Sequence, residues 1–269
     1  VLWKDGSPYL AYRVPETTNE FTEIDECFLA PPEMNRLLIE TLKVLAEKKQ
    51  SFVNEIEIRE SFSGKKFLTI LHSASKKKPL ILGDTFIEEK VAGKTLQFGP
   101  RSFFQINIEM TEELIKDIKA SLPLTGRETI ADLYCGVGTF GIALSENAGK
   151  VIGVESGKEN IAFLKQNILI NGIKNFDVRE GYCERLIGNI LKQKPDIIIL
   201  DPPRKGLDEI MCESTVRGDA RFIVYVSCNP STLARDLKTL LKKYHIRSIT
   251  LYDFFPHTTH IEACVILEK

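Results

Sequence analysis

No stretch of the 269 residues stays apolar for more than five positions, the two longest being Phe222 to Val226 and Ala263 to Leu267. A helix needs about 20 such residues to cross a bilayer, so no membrane-spanning segment is expected. Charge of one sign is also lacking: 36 Lys+Arg against 37 Asp+Glu leave a formal net charge of −1. That balance excludes a protein that holds nucleic acid by bulk charge alone, though not one with a local basic face. The six cysteines, at 27, 135, 183, 212, 228 and 264, contain no C-x-x-C pair. In a chain this long they read as reduced thiols rather than a disulfide framework. No charged-then-apolar leader opens the chain, so the expected location is cytoplasmic. Internal repeats, heptad arrays and low-complexity segments are absent too. The chain starts at Val1 on polar, turn-rich sequence, and is expected to be a piece of something longer.

What is present divides near residue 100. Residues 1–100 read as a mixed α/β domain. Met34, Leu37, Leu38, Leu42 and Leu45 share one helical face after Pro31-Pro32. Strand-like stretches follow at Asn54–Glu60 and Phe67–Leu71, then a loop at Ser75–Pro79. Gly93-Lys94 reads as a hairpin turn between Glu88–Ala92 and Thr95–Phe98. In residues 101–269 a helix is expected from about Glu109 to Leu122. Beyond it, short apolar strands alternate with helices: Ile130–Leu133, Val151–Val154, Asp177–Arg179, Ile197–Leu200, Phe222–Val226, Ile249–Tyr252 and Cys264–Leu267. Repeated βα units with such strands mean an α/β fold with a doubly wound, mostly parallel sheet covered on both faces.

The first of these strands runs into Asp132-Leu133-Tyr134-Cys135-Gly136-Val137-Gly138-Thr139-Phe140-Gly141. Read literally, Gly136, Gly138 and Gly141 complete G-x-G-x-x-G, with Glu155 ending the next strand where a ribose-binding acid belongs. Glycine suits a loop whose backbone must approach a ligand closely. A dinucleotide and S-adenosylmethionine both fit that pattern. Asp132, four residues ahead of the first glycine, separates them, because its carboxylate suits the cationic amino acid end of S-adenosylmethionine and repels a pyrophosphate.

Ligands in open α/β sheets sit outside the carboxyl ends of the strands, which directs attention to three later strand ends. Asp201-Pro202-Pro203-Arg204-Lys205-Gly206 follows one, an acid on a turn stiffened by two prolines. Base-modifying methyltransferases bind the target ring at such a place. Cys228, in Ser227-Cys228-Asn229-Pro230, follows another and precedes a helix expected near Ser231. The helix N-terminus, with Arg235 one turn in, would favour its thiolate and make it a nucleophile. Cys135, Cys183, Cys212 and Cys264 read as small buried hydrophobes. Glu262 enters the last apolar strand, a costly place for a carboxylate unless partnered or working. His257 and His260 lack a matching acid or thiol cluster, so packing and hydrogen bonding are expected of them and no metal.

The segments Phe103-Phe104-Gln105-Ile106-Asn107, Asp132 to Gly136, Asp201 to Gly206, Ser227 to Pro230 and Phe255-Pro256-His257-Thr258-Thr259-His260-Ile261-Glu262 occur in this order. From about Cys27 to the C-terminus they strongly resemble the RNA uracil-5 methyltransferases, the class that makes 5-methyluridine in tRNA and 23S rRNA. The resemblance implies a Rossmann-like fold, S-adenosyl-L-methionine as cofactor and RNA (rRNA or tRNA) as partner. By it, Cys228 is the nucleophile and Glu262 the proton acceptor, while Gln105, Tyr134, Glu155 and Asp201 contact cofactor and substrate. Asp132, Gly136 and Gly138 complete the cofactor set, and Phe103 and Arg204 are the substrate-binding candidates. Family members usually carry an N-terminal oligonucleotide-binding barrel, and the chain lacks about that much sequence. Many rRNA-type members hold an iron–sulfur cluster on four cysteines. Cys27 resembles the fourth and the other three are absent, and one thiolate cannot hold such a cluster. No cluster is therefore expected, and a monomer is.

Two enzyme rivals and one non-enzyme rival stand beside this expectation. An RNA cytosine-5 methyltransferase would place cysteine after Pro-Pro, where this chain has Arg204. An N-methyltransferase would leave Cys228 and Glu262 unemployed. A catalytically incompetent RNA-binding fragment would not need the acid–thiol–glycine set. Lys65-Lys66, Lys76–Lys78, Arg101 and Lys242-Lys243 read as solvated faces, and Arg204-Lys205 as a phosphate contact beside the site.

Overall fold

A computed structural model describes residues 1–14, 17, 20–28, 30–60, 67–72, 80–105 and 107–269. Lys65, Lys66, the whole loop at Ser75–Pro79 with Lys76–Lys78, and Ile106 of the Phe103–Asn107 segment lie outside the described residues. Among those described, no helix is long and apolar enough to cross a membrane. The chain forms two compact units, Val1–Ile87 and Glu88–Lys269.

The first unit opens with an antiparallel meander of β1 (Leu2–Lys4), β2 (Ser7–Arg13) and β3 (Phe21–Ile24). Asp5 and Gly6, at φ 50° and 80°, make the β1–β2 turn, the left-handed pair that a two-residue hairpin requires. Helix α1 (Pro32–Glu47) starts with Pro in its first turn and buries Leu45. Leu45 and Val53 form a small core with Trp3, Phe52 and Ile56, and the Trp3 indole N–H donates to the Val53 carbonyl at 3.0 Å. A second antiparallel sheet runs β4 (Glu55–Glu60), β5 (Phe67–His72) and β6 (Leu80–Gly83). Cys27, half-buried ahead of α1, exchanges backbone hydrogen bonds with the Asn35 side chain at 2.8 and 3.0 Å.

The hairpin of β7 (Ile87–Val91) and β8 (Lys94–Phe98) turns at Ala92-Gly93 and goes with the second unit, so the units part at residue 87 rather than at 100. Two asparagines of α4 (Lys158–Ile170) and its C-terminal cap hold it there. Asn167 bonds both backbone groups of Gln97, at 2.7 and 2.9 Å, and Asn171 those of Thr95, at 3.0 and 2.7 Å. Their side chains thus complete an open strand edge that would otherwise leave polar groups unpaired.

Helix α2 (Ile108–Ser121) leads into a seven-stranded sheet ordered β11-β10-β9-β12-β13-β15-β14. Its strands are β9 (Thr129–Leu133), β10 (Lys150–Glu155), β11 (Phe176–Glu180), β12 (Ile197–Leu200), β13 (Phe222–Ser227), β14 (His245–Tyr252) and β15 (Glu262–Glu268). Besides α4, its helices are α3 (Thr139–Leu144), α5 (Cys183–Leu191), α6 (Glu209–Arg217) and α7 (Pro230–Leu240). β11 through β13 run parallel, and every residue of β12 is buried, as the uniform Ile-Ile-Ile-Leu run requires. β15 inserts antiparallel between β13 and β14. The strand order reverses between β9 and β12, the switch point where a crevice opens at the carboxyl ends. Because β15 is antiparallel, its first residue lies at that same end. The pairing Ser227↔Ala263 therefore brings Glu262 to the level of Cys228.

Candidate active site

A cavity of about 590 Å³ opens at this sheet edge, lined wholly by residues of the second unit. Tyr134, Gly136 and Glu155 line it from the β9 and β10 ends, Asp201 and Arg204 from the β12 end, and Cys228 from the β13 end. Glu262, Phe103 and Gln105 complete the set of expected residues found there. Asp132 and Gly138 are not among its walls.

The glycine loop explains why. Gly136, at φ 56°, faces the cavity, and a Cβ built on it meets no atom within 4 Å. Gly138, at φ 97°, caps α3, and a Cβ there would stand 2.6 Å from Leu164 Cδ1. A Cβ on Gly141 would come within 2.7 Å of Asp132 Oδ2. Only the first glycine thus clears space for a ligand, and the other two admit side chains packed behind the loop. Gly138→Ala should cost about 1–3 kcal/mol through backbone strain and overpacking, seen in thermal denaturation as a fall in Tm of about 3–8 °C. An unchanged Tm would refute this account.

The acids are arranged in layers. Glu155 Oε2 accepts from the Gly136 N–H at 2.9 Å, and Oε1 accepts from Ser156 and Gly157 N–H groups at 2.9 and 2.6 Å. Of roughly four acceptor positions on a carboxylate, three hold its own loop and one is left over. Asp132 is wholly buried; Oδ2 accepts from the Gly141 N–H at 2.8 Å, and Oδ1 has no partner. Burial pushes its carboxyl up to about 7, with the Gly141 bond opposing and the Glu155 charge adding. Asn160 Oδ1, in the cavity wall, is the second buried acceptor without a partner among the described residues. Two orphan acceptors and a partly free carboxylate fit a ligand rich in donors and positive charge. Tyr134, in the left-handed region at φ 62°, donates its hydroxyl to Glu184 at 2.9 Å. Tyr182, Glu184 and Asn160 line the cavity without having been singled out in the sequence. The strand-end rule that selected Asp201 would have found the first two, which follow the end of β11.

Cys228 is half-buried and Glu262 is 3 % exposed. Burial pushes the Glu262 carboxyl up to about 7, with Arg204 opposing. Asp201 is raised well above the carboxylate range by burial first, then by the Glu262 and Asp132 charges. The Cys228 thiol is also raised, by burial, then by Glu262 and Asp201, against the pull of Arg204. This corrects the expectation of a thiolate favoured by α7 and Arg235. Arg235 is turned away: Nε and Nη2 donate to Asp236 and Nη2 to the carbonyls of Lys205 and Leu207. His260 stacks edge-on against Phe255, 6.0 Å between ring centres. Among the described residues, no group of three or more His, Cys, Asp or Glu is placed to hold a metal ion.

Residues 35–269 match the family described as tRNA (uracil-5-)-methyltransferase. The chain belongs to that family. An uncharacterized RNA methyltransferase of Listeria innocua is 42% identical over 192 residues, 71% of this chain and 42% of the relative. One of Bacillus cereus is 35% identical over 247 residues, 88% of this chain and 53% of the relative. The chain thus spans about half the length of the curated relatives it matches. Among solved structures, the tRNA (uracil-54, C5)-methyltransferase of Pyrococcus abyssi, in complex with S-adenosyl-L-homocysteine, superposes with a TM-score of 0.76. It is 27% identical, with 92% of this chain and 70% of that one covered.

Proposed function

We propose that the chain is the catalytic part of an RNA (uracil-C5)-methyltransferase that modifies a uridine of rRNA or tRNA through a covalent bond between Cys228 and C6, with S-adenosylmethionine as cofactor. The observation that carries this is the charge of the cavity. Glu155, Glu184, Asp201 and Glu262 line it, and Asp132 lies buried behind its glycine loop, against the exposed Arg204 and Lys205. Such an excess of carboxylates suits a cationic ligand and repels a pyrophosphate. When bound, S-adenosylmethionine supplies an electrophilic methyl group on its sulfonium. Glu155 offers its free acceptor position to the ribose, and Asp132, buried behind the loop, adds negative charge without touching the ligand.

C5 of uracil is too poor a nucleophile to react unaided. Cys228, as thiolate, adds to C6; the ring's electron pair moves into an enolate, and C5 becomes nucleophilic. Asp201, beside Glu262 in the cavity wall, hydrogen-bonds the uracil edge and selects the ring. Once C5 carries its new methyl group, Glu262 takes the C5 proton and the C6–S bond breaks, returning the thiolate. The target base must first leave its stack, at a cost of about a few kcal/mol. Phe103, 67% exposed in the cavity wall, gives the extruded ring an apolar face.

Calorimetric titration with S-adenosyl-L-homocysteine should show binding, and titration with NAD none. Asp132 and Glu262 both titrate at about 7, and a cationic ligand favours their ionised forms. Binding of S-adenosylmethionine at pH 7 should therefore release protons, so that the heat varies with the ionisation enthalpy of the buffer. Tight NAD binding, or a heat independent of the buffer, would overturn the assignment of these acids. Incubation with uridine-containing RNA and S-adenosylmethionine, read by mass spectrometry for 5-methyluridine, tests the reaction itself.

A further inference from the structure

The turn Asp201–Leu207 between β12 and α6 carries Asp201 and Arg204 into the cavity, and residues of α7 and its cap hold it. Asn229 Nδ2 and Thr232 Oγ1 donate to the Arg204 carbonyl at 3.1 and 3.3 Å. Arg235 Nη2 donates to the carbonyls of Lys205 and Leu207, each at 2.9 Å. Asp236, 2 % exposed, accepts through Oδ2 from the Leu207 N–H at 2.8 Å and the Tyr225 hydroxyl at 2.6 Å. Its Oδ1 accepts from Arg235 Nε at 2.8 Å. Gly206, at φ 73°, makes the approach possible, because a Cβ there would stand 2.5 Å from Asp236 Oδ2. A buried carboxylate with this many partners is costly to assemble, and neither it nor Arg235 nor Tyr225 lines the cavity. Helix α7 begins two residues after Cys228, so these bonds tie the turn and the strand end bearing the thiol into one body.

We propose that Asp236, acting with Arg235 and Tyr225, is a positioning residue that locks the 201–207 turn onto α7 and so holds Arg204 against Cys228 and Glu262. This deepens the methyltransferase assignment and rests on it for the roles of those two groups. The charged groups facing Cys228 are Glu262 from β15 and Asp201 and Arg204 from the turn, and of these Arg204 alone favours the thiolate. A released turn lets Arg204 move away from Cys228 and leaves the two acids unopposed.

The test is alkylation of Cys228 by iodoacetamide across pH in the whole chain, with neither RNA nor cofactor, followed by peptide mass spectrometry. Cys27, half-buried in the first unit, serves as internal reference. Arg204→Gln should raise the alkylation midpoint by about half a pH unit, the scale of one partly screened charge pair. Asp236→Asn should raise it as much, and the double variant no further. Tyr225→Phe removes one hydrogen bond and keeps the ring. It should move the midpoint in the same direction by less, and it stands in if Asp236→Asn fails to fold. The proposal is overturned if folded Asp236→Asn and Tyr225→Phe keep the wild-type midpoint, if Arg204→Gln does not move it, or if the two shifts add. Failure of the methyltransferase assignment would appear elsewhere, as a wild-type chain that binds no S-adenosyl-L-homocysteine while these curves stand.

Discussion

Replacing Cys228 with alanine should abolish 5-methyluridine formation, a loss on the order of 10⁴-fold or more, while S-adenosyl-L-homocysteine binding stays nearly intact. The two effects separate because in the proposed mechanism the thiol acts on uracil and not on the cofactor. Cys228 follows the end of β13, two strands from β9 and its glycine loop. Without the thiolate, C5 stays a weakly nucleophilic alkene carbon, and among the described residues lining the cavity no other group is placed in the role of adding to C6. Cys135 and Cys183 also line it, but burial raises both thiols, Cys135 well above its ordinary value and Cys183 to about 12. Cys135→Ala should therefore retain the chemistry. The Cys228 thiol is raised as well, so adduct formation in the wild type should accelerate as pH rises through neutrality. A Cys228→Ala chain that still makes 5-methyluridine at the wild-type rate would rule out thiolate addition.

The central parallel strands were legible because they are buried on both faces and read as mainly apolar runs, as in Ile197–Leu200, whereas β11 is a half-exposed Phe-Asp-Val-Arg-Glu strand at the sheet edge. β14 was half missed: the expected Ile249–Tyr252 is the end of His245–Tyr252, a sheet-edge strand whose His245, Arg247, Ile249 and Leu251 are exposed. The β1–β3 meander escaped notice because its strands are short and its last one largely exposed, though Asp5-Gly6 carried the hairpin signal. The costly burial of Glu262 was readable from a carboxylate in an apolar strand. Its company was not, because it depends on an antiparallel insertion that no local pattern announces. Arg235 failed for a related reason. Its place one turn into α7 suggested the thiol, yet Asp236 and two carbonyls some 30 residues earlier in the chain, at Lys205 and Leu207, compete for the same donors and win. Asp132 was read as a ligand contact from its spacing, and only the packed loop shows one of its oxygens holding Gly141 while the other is bare.

Glu262→Gln should convert a turnover enzyme into one that traps its RNA. Thiol addition and methyl transfer precede proton removal, so loss of the base stalls the reaction after C5 has been methylated. The trapped species is a saturated ring bonded through C6 to Cys228, with its C5 proton still in place. Glutamine keeps the size and a hydrogen-bonding carbonyl but cannot take that proton at neutral pH. With RNA and S-adenosylmethionine, the variant should give a protein–RNA adduct that survives denaturing electrophoresis, and Cys228→Ala,Glu262→Gln should give none. The reaction is run at high RNA concentration. The wild type should show a weaker version of the same behaviour in acid. Burial raises Glu262 to about 7, and a carboxylate must be ionised to act as a base. As pH falls below about 7, a growing share is protonated, proton removal slows and the adduct, once formed, should persist longer. In Glu262→Gln the persistence of the adduct should not change with pH, and only its rate of formation should follow the Cys228 thiol. Free turnover of Glu262→Gln with no adduct would assign the base to another group.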